Sequence, residues 1–195
     1  MEKRNRILLF IPMYNCEKQI PRVLSQINDE VCNFITECIV VNNISTDNSE
    51  TSVKDFLTAH PVDIPVKLLR NRRNYSLGGS HKVAFNYALN HGFDYVIVLH
   101  GDDQGDVHDL LPYIKDGTIE KFDSFLGSRF DPKSTLINYS RFRIFGNHVF
   151  NIFNSVMVGR RLTDLGSGLN IYKTTYLKSK FYLPFQNNLT NTLWM

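Results

Sequence analysis

Three carboxylates and a glutamine follow directly after an apolar run in the stretch YVIVLHGDDQGD, residues 95–106. The carboxylates are Asp102, Asp103 and Asp106, and Gln104 lies among them. Oxygen ligands at adjacent positions suit Mg²⁺ or Mn²⁺, and a cation held by one or two protein ligands keeps coordination sites open for phosphate oxygens. The alternative is structural, with Asp106 capping the helix that follows. The sequence leaves both interpretations open.

Length and composition limit the class of protein. The chain has 195 residues, of which 43% are hydrophobic and 21% charged, which fits one α/β domain. A net charge of +3 argues against a dedicated nucleic-acid binder, and it suits anionic small molecules or a membrane surface. No apolar run reaches the roughly 18 residues of a membrane span. The three cysteines form no CxxC pair, which indicates free thiols in a reducing cytosol.

The first half of the chain alternates apolar strands with amphipathic helices. Strands that are apolar on both faces and separated by helices predict a mostly parallel sheet covered on both sides. In such sheets ligands bind beyond the carboxyl ends of the strands. We therefore expect one edge of the sheet to collect the polar segments that follow the four strands: PMYN, NNISTD, RNRRN and HGDDQGD.

The second half is less regular. DSFLGSR predicts a fifth strand, YSRFRIFGNHVFNIFNSVMVG a long helix, and DLGSGLNIYKTTYL a strand with a short helix. The phenylalanines of the long helix, Phe142, Phe145, Phe150 and Phe153, are expected to pack in the core. The alternative is that this helix lies against a bilayer. The chain stops at NLTNTLWM with no closing element, which is consistent with truncation at the C-terminus.

Six segments in order carry a resemblance to a known family. They are ILLFIPMYNCEKQI, CIVVNNISTDNS, GGSHKVAFNYAL, YVIVLHGDDQGD, FLGSRF and DLGSGLNIYK. They resemble the PxYNE, VDDGSTD, GxxxAxNxG, DADxQ, GSR and DxxSGF motifs of family 2 glycosyltransferases, most closely those of the dolichyl-phosphate-mannose-synthase-like branch.

The resemblance implies an α/β protein with the GT-A (nucleotide-diphospho-sugar transferase) fold, in which helices flank a mostly parallel central sheet. It implies a single domain over residues 1–195, with a nucleotide-sugar-binding half at 1–106 and an acceptor-side half at 107–195. The implied reaction is metal-dependent transfer of a hexose-like sugar from a nucleoside-diphosphate sugar, with inversion at the anomeric carbon. The implied acceptor is a polyprenyl phosphate or a growing cell-surface polysaccharide.

Site residues follow from the resemblance by motif. The residues implied to bind the nucleotide sugar are Pro12, Tyr14, Asn15, Asn42, Asn43, Lys82, Asp102 and Asp103. Those implied to hold Mn²⁺ or Mg²⁺ are Asp102, Gln104 and His100. Asp102 is also a candidate catalytic residue, since it would anchor the cation that stabilises the leaving diphosphate.

Two departures from the family motifs bear on the chemistry. His100 stands at the first aspartate of DxD, and Asn42 and Asn43 replace the acidic pair of the second strand. Histidine ligates Mn²⁺ readily and Mg²⁺ poorly. Either the metal is Mn²⁺ with His100 in its shell, or Asp102 and Gln104 hold it with Asp103. The asparagines offer a base a different donor and acceptor pattern from aspartate, so the base stays open.

The acceptor side offers cations and one carboxylate. A lipid phosphate is already ionised, and Arg129, Arg141 and Arg143 have guanidinium groups suited to its oxygens. A solvated basic face is the alternative for these arginines. Asp164 is the second catalytic candidate, as a base or an acceptor-orienting group, and a structural turn before LGSG is its alternative.

Two other classes remain. A nucleotidyltransferase shares the sheet architecture, but PMYNCEKQ lacks the glycine-rich loop expected after its first strand. A non-catalytic nucleotide-binding protein with the same fold is suggested by His100 and Asn42. We expect a cytoplasmic protein, peripheral at the cytoplasmic face of the membrane, with no nucleic-acid partner. The sequence does not determine the oligomeric state.

Overall fold

A six-stranded sheet forms the centre of the molecule. The computed structural model describes residues 4–128, 130, 141–159, 163–164 and 167–179, without the side chains of residues 141–145, 147 and 158. The strands are β1 (Ile7–Met13), β2 (Glu37–Asn42), β3 (Val66–Arg70), β4 (Tyr95–Leu99), β5 (Ser124–Leu126) and β6 (Leu169–Lys173). Their order in the sheet is β3-β2-β1-β4-β6-β5. In this described sheet β6 runs opposite to the other five strands and pairs antiparallel with β4 and β5, while β1 to β4 pair in parallel, so the prediction of a mostly parallel sheet is confirmed.

Helices connect the strands and cover both faces of the sheet. They are α1 (Ile20–Ser25), α2 (Asp29–Cys32), α3 (Ser49–Ala59), α4 (Ser76–Asn90), α5 (Leu111–Lys115), α6 (Arg141–Val158) and α7 (Thr174–Leu177). Short 3-10 segments occupy Val107–Leu110 and Thr118–Lys121. The predicted alternation of strands and helices in the first half, and the long helix of the second, are therefore present.

The core is divided by the sheet into two clusters. Alternate residues of a strand point to opposite faces, so Ile97 of β4 packs in the cluster under α1 and α3 while Val98 packs under α4 and α7. All five residues of β4 are buried. The strand reads as a continuous apolar run because it has a covered face on each side.

Helix α6 differs from the expected packing. Phe150 and Phe153 were expected in the core, but they are 50% and 63% exposed, together with Val149, Ile152, Val156 and Met157 on the same side. The side chains of Phe142 and Phe145 lie outside the described residues. The expectation of core packing is wrong for Phe150 and Phe153, because the side of α6 that packs inward carries Asn151 instead. Across the described ranges, no helix combines the length and apolar character needed to cross a bilayer.

Candidate functional site

A cavity of about 380 Å³ lies at the carboxyl ends of the four parallel strands. It is lined by Pro12, Met13, Tyr14, Cys16, Asn43, Asn74, Ser76, Leu77, Ser80, His100, Gly101 and Asp102. These residues come from the end of β1 and the segments after β1, β2, β3 and β4, together with the first turns of α4. The four polar segments therefore meet at one edge, as the strand pattern predicts.

The acidic residues after β4 have different surroundings. Asp102 is exposed and lines the cavity, and no cation of the described residues pairs with its carboxylate. Asp103 has a positive φ of 64° and accepts a hydrogen bond from Arg22 Nε at 2.5 Å. Asp106 caps the following turn by accepting from the His108 backbone N–H at 2.9 Å. The structural interpretation holds for Asp106, and Asp102 is the carboxylate at the cavity.

The donor set fits a divalent cation that arrives with its ligand. Among the described residues, no group of three or more His, Cys, Asp or Glu side chains could hold a metal ion alone. Mg²⁺ and Mn²⁺ at phosphate sites need only one or two protein ligands, because phosphate oxygens complete the shell. Asp102 and His100 both line the cavity and meet this smaller requirement. Gln104 is exposed nearby but is not among the described lining residues.

Asn42 and Asn43 are both buried but have separate roles. The Asn42 side chain accepts from the Ser45 backbone N–H at 2.8 Å and donates to Glu50 at 3.0 Å. These bonds hold the loop after β2, and of this pair only Asn43 lines the cavity. Adjacent residues at a strand end point in opposite directions, so only one of the two can face the ligand edge.

Asn43 belongs to a network of neutral side chains. Its amide nitrogen donates to Asn74 Oδ1 at 2.8 Å, and its oxygen accepts from Asn71 Nδ2 at 2.9 Å. Asn71 donates to Ser80 Oγ at 3.1 Å, and the Tyr75 backbone N–H donates to Asn43 Oδ1 at 2.9 Å. The network joins the ends of β2 and β3 to the start of α4, so it forms one wall of the cavity.

The remaining nucleotide candidates are divided between the cavity and its surroundings. Pro12 and Tyr14 line the cavity. Asn15 has a positive φ of 49°, and its side chain accepts from the Thr46 backbone N–H at 2.8 Å, which ties β1 to the loop after β2. Lys82 lies on α4 and, like Asn15, is not among the described lining residues.

Several lining residues were not singled out from the sequence. Asn74, Ser76 and Ser80 belong to segments expected near this edge, but an isolated asparagine or serine gives no stronger signal. For Cys16 the sequence indicates only a free thiol. Its burial raises the pKa of the thiol to about 11, so Cys16 meets the cavity as a neutral group.

The acceptor-side motifs reach the same edge through β6. The His100 backbone N–H donates to Gly168 O at 2.8 Å, and Leu99 pairs with Leu169 across the antiparallel strands. Asp164 is buried just before this strand. The topology therefore brings the Asp164 segment toward the tip of β4.

The side chains of the three arginine candidates lie outside the described part of the structure. Arg129, which follows the end of β5, lies outside the described residues. Arg141 and Arg143 are in α6, but their side chains also lie outside the described part. Their proposed contacts stay predictions.

Comparisons with known proteins agree with this architecture. An undecaprenyl-phosphate mannosyltransferase of Micrococcus luteus is 24% identical over 89% of this chain and 69% of its own length. A polyprenol monophosphomannose synthase of Mycolicibacterium smegmatis is 21% identical over 89% of this chain and 63% of its own. The chain thus spans about two thirds of these relatives.

Solved structures show the same fold. A Pyrobaculum calidifontis mannosyltransferase in complex with GDP-Man and Mn²⁺ aligns with a TM-score of 0.61 at 18% identity, over 92% of this chain and 48% of that one. Glucosyl-3-phosphoglycerate synthase of Mycobacterium tuberculosis aligns with a TM-score of 0.63 at 15% identity, over 90% and 60%. The fold is that of the GT-A glycosyltransferases.

The family itself is identified by sequence. Residues 9–181 match the family described as glycosyl transferase family 2, and this range contains β2 to β6, β1 except its first two residues, and the whole cavity lining. The chain therefore belongs to glycosyl transferase family 2.

Proposed function

We propose that this chain is the catalytic domain of a metal-dependent glycosyltransferase that moves a sugar from a nucleoside-diphosphate sugar to a polyprenyl phosphate. One observation carries the proposal: Asp102 and Asn43 line a single cavity at the carboxyl edge of a family 2 sheet. A nucleoside diphosphate has a diphosphate at one end and a base at the other. The diphosphate needs a cation, which a carboxylate can hold, and the base needs hydrogen-bonding groups such as amides.

The donor side of the proposal is supported by the cavity and by the named relatives. Solved relatives contain GDP-Man with Mn²⁺, and UDP with Mn²⁺. In this chain Pro12 and Tyr14 would lie beside the base and ribose, with Asn43 at the base. We assign a supporting role to Asn42 and Asn15, which hold the loop after β2, and to Asp103, which pairs with Arg22. Lys82 stays a candidate for the diphosphate from α4.

The metal side depends on Asp102. Asp102 would hold Mn²⁺ or Mg²⁺ together with His100 or Gln104, and imidazole in the shell favours Mn²⁺. When bound, a divalent cation neutralises the charge that develops on the leaving diphosphate. The chain's own contribution is to fix this carboxylate. The Gly101 backbone N–H donates to Pro12 O at 3.2 Å, which ties the turn after β4 to the end of β1.

A lipid phosphate is the acceptor best supported by the relatives, two of which are named for undecaprenyl phosphate and polyprenol. An ionised phosphate acceptor needs cationic side chains more than it needs a general base. We assign this cationic role to Arg129, Arg141 and Arg143. Asp164 would orient the acceptor, and it would act as a base if the acceptor were a glycan hydroxyl.

The exposed apolar side of α6 supports a peripheral membrane location. Phe150, Ile152, Phe153, Val156 and Met157 are between 50% and 78% exposed on one helix. An apolar helix face of this kind binds at the boundary between headgroups and acyl chains. Such a position at the cytoplasmic face would give the cavity access to a polyprenyl phosphate.

The test compares Asp102→Asn with Asp106→Asn, since both remove one carboxylate from the same segment but only Asp102 lines the cavity. Sugar transfer from UDP- and GDP-sugars to a polyprenyl phosphate is measured with Mn²⁺ and Mg²⁺. Removing a group that stabilises transition-state charge costs about 10²–10³-fold in rate. We expect that loss for Asp102→Asn and less than threefold for Asp106→Asn. Unchanged turnover in Asp102→Asn would contradict the proposal. If the wild-type chain binds the nucleotide sugar but shows no turnover, the result would favour the non-catalytic alternative.

A further inference from the structure

The backbone N–H of Tyr75 determines which way the side-chain amide of Asn43 points. Its oxygen accepts from the Tyr75 backbone N–H at 2.9 Å, and a backbone N–H can only donate. The same oxygen accepts from Asn71 Nδ2 at 2.9 Å. An amide oxygen has two lone pairs, so both acceptor positions of Asn43 are used within the protein.

Asn74 is fixed in the same way. Its oxygen accepts from the Ser76 backbone N–H at 2.8 Å and from Asn43 Nδ2 at 2.8 Å. Ser76 holds this geometry with a positive φ of 57°, which is uncommon outside glycine. Both lone pairs of Asn74 are therefore also occupied.

The two amides leave only hydrogen-bond donors for a ligand. Asn43 uses one amide hydrogen on Asn74, and among the described residues no further acceptor takes its second hydrogen or those of Asn74. Both residues line the cavity. The family motif has an aspartate at position 43, which would offer the ligand an acceptor oxygen. With asparagine at this position, the same wall of the cavity offers the ligand a hydrogen-bond donor instead.

The base is the part of a nucleoside diphosphate that would meet this wall. β1 separates β2 from β4 in the sheet, so Asn43 and the Asp102 turn lie about two strand spacings, roughly 10 Å, apart. The diphosphate belongs on the Asp102 side with its cation, which leaves the base for the amide side.

We infer that Asn43 and Asn74 select the nucleobase as donors, so that they meet a carbonyl oxygen or an unprotonated ring nitrogen, and not an N–H group, at position 3 or 4 of a pyrimidine or at position 1 or 6 of a purine. This inference rests on the proposed function, because it assumes a nucleoside diphosphate in the cavity. It names the feature of the base that this chain recognises.

Two pairs of ligands test the inference. UDP and CDP have opposite donor and acceptor atoms at ring position 3 and at the exocyclic group on position 4, and GDP and ADP at ring position 1 and at the exocyclic group on position 6. Whichever of these atoms is contacted, donors alone must prefer one member of the pair. Binding of all four diphosphates is measured by calorimetry with Mn²⁺ present. We expect the tighter-binding pair to differ at least tenfold in Kd in the wild-type chain.

Substitutions at position 43 then distinguish the polarity of the contact. Asn43→Asp keeps an oxygen for Tyr75 and Asn71. It replaces the donor by an acceptor and loses the hydrogen bond to Asn74 Oδ1, so the Kd ratio should shift at least tenfold toward the other member. Asn43→Ala removes one of the two donors, so it should bring the ratio at least threefold closer to one, and it decides the matter if Asn43→Asp does not fold. The matched control is Asn90→Asp, which adds the same charge to an exposed residue at the far end of α4 and should leave the ratio within threefold of wild type.

The outcomes separate the inference from the function on which it rests. If the diphosphates bind but the wild-type chain does not distinguish the members of either pair, the inference is wrong and the proposed function stands. The same holds if Asn43→Asp keeps the wild-type preference. If none of the four diphosphates binds the wild-type chain with Mn²⁺, both fall together.

Discussion

Gly101 lies where the turn after β4 passes closest to β1, and a methyl group at this position should disturb both stability and ligand binding. A Cβ built on Gly101 would lie 2.8 Å from the Pro12 carbonyl oxygen and 3.3 Å from Cys16 Sγ. Ordinary contacts of a Cβ begin at 3.4 Å, so the two backbone segments must separate by about 0.6 Å. The closer of the two atoms is a backbone oxygen, which cannot turn away as the end of a side chain could.

The cost follows from this separation. The Gly101 N–H donates to the same Pro12 oxygen at 3.2 Å. A movement of about 0.6 Å would place the two atoms beyond hydrogen-bonding distance. Overpacking costs about 1–3 kcal/mol and a lost hydrogen bond about 0.5–1.5 kcal/mol, so we expect Gly101→Ala to lower the free energy of unfolding by about 2–4 kcal/mol. Because Asp102 follows directly, the affinity for a nucleoside diphosphate with Mn²⁺ should fall at least tenfold.

Urea unfolding followed by circular dichroism, with calorimetry for binding, measures both effects. Gly146→Ala is the matched control, because Gly146 is an exposed residue of α6 whose added Cβ meets no described atom within 4 Å. Alanine is favoured over glycine within a helix by about 1 kcal/mol, so this variant should be stabilised with unchanged binding. The reasoning is refuted if Gly101→Ala unfolds within 0.5 kcal/mol of wild type and binds with the same Kd.

Two further predictions concern the surroundings of the site. Asn42→Ala removes the acceptor of the Ser45 N–H and the donor to Glu50, so it should cost about 2–4 kcal/mol of unfolding free energy in urea melts. Its Kd for nucleoside diphosphates should change less than threefold, and a loss of binding at full stability would contradict this. Burial raises the pKa of Glu37, but hydrogen bonds from its neighbours, Lys67 among them, outweigh burial and lower the pKa below its usual 4.5. The stability that this carboxylate contributes is therefore present above about pH 4.5 and is lost as the pH falls further. In urea melts between pH 5 and pH 3, Glu37→Gln should lose less unfolding free energy than the wild type, and an equal loss in both proteins would contradict this prediction.

Much of the architecture could be predicted from the sequence. The apolar runs of β1, β2 and β4 are continuous because each strand is covered on both faces, and this pattern alone predicts a mostly parallel sheet. The same pattern predicts that the polar segments after the strands meet at one edge. Asp106 carried its own local signal, since an aspartate before a helical turn is a common cap.

The tertiary structure decided which member of each neighbouring pair faces the ligand. Asn42 and Asn43 are chemically identical, but only Asn43 reaches the cavity, because successive residues of a strand point in opposite directions and the register is fixed by pairing with β1 and β3. Asp102 and Asp103 are separated similarly, since a positive φ turns Asp103 toward Arg22. The sequence by itself determined the sheet and the edge at which chemistry is possible, because periodicity is a local property of the chain. Only the folded structure decided which atoms point into the cavity, because that depends on contacts between segments far apart in sequence.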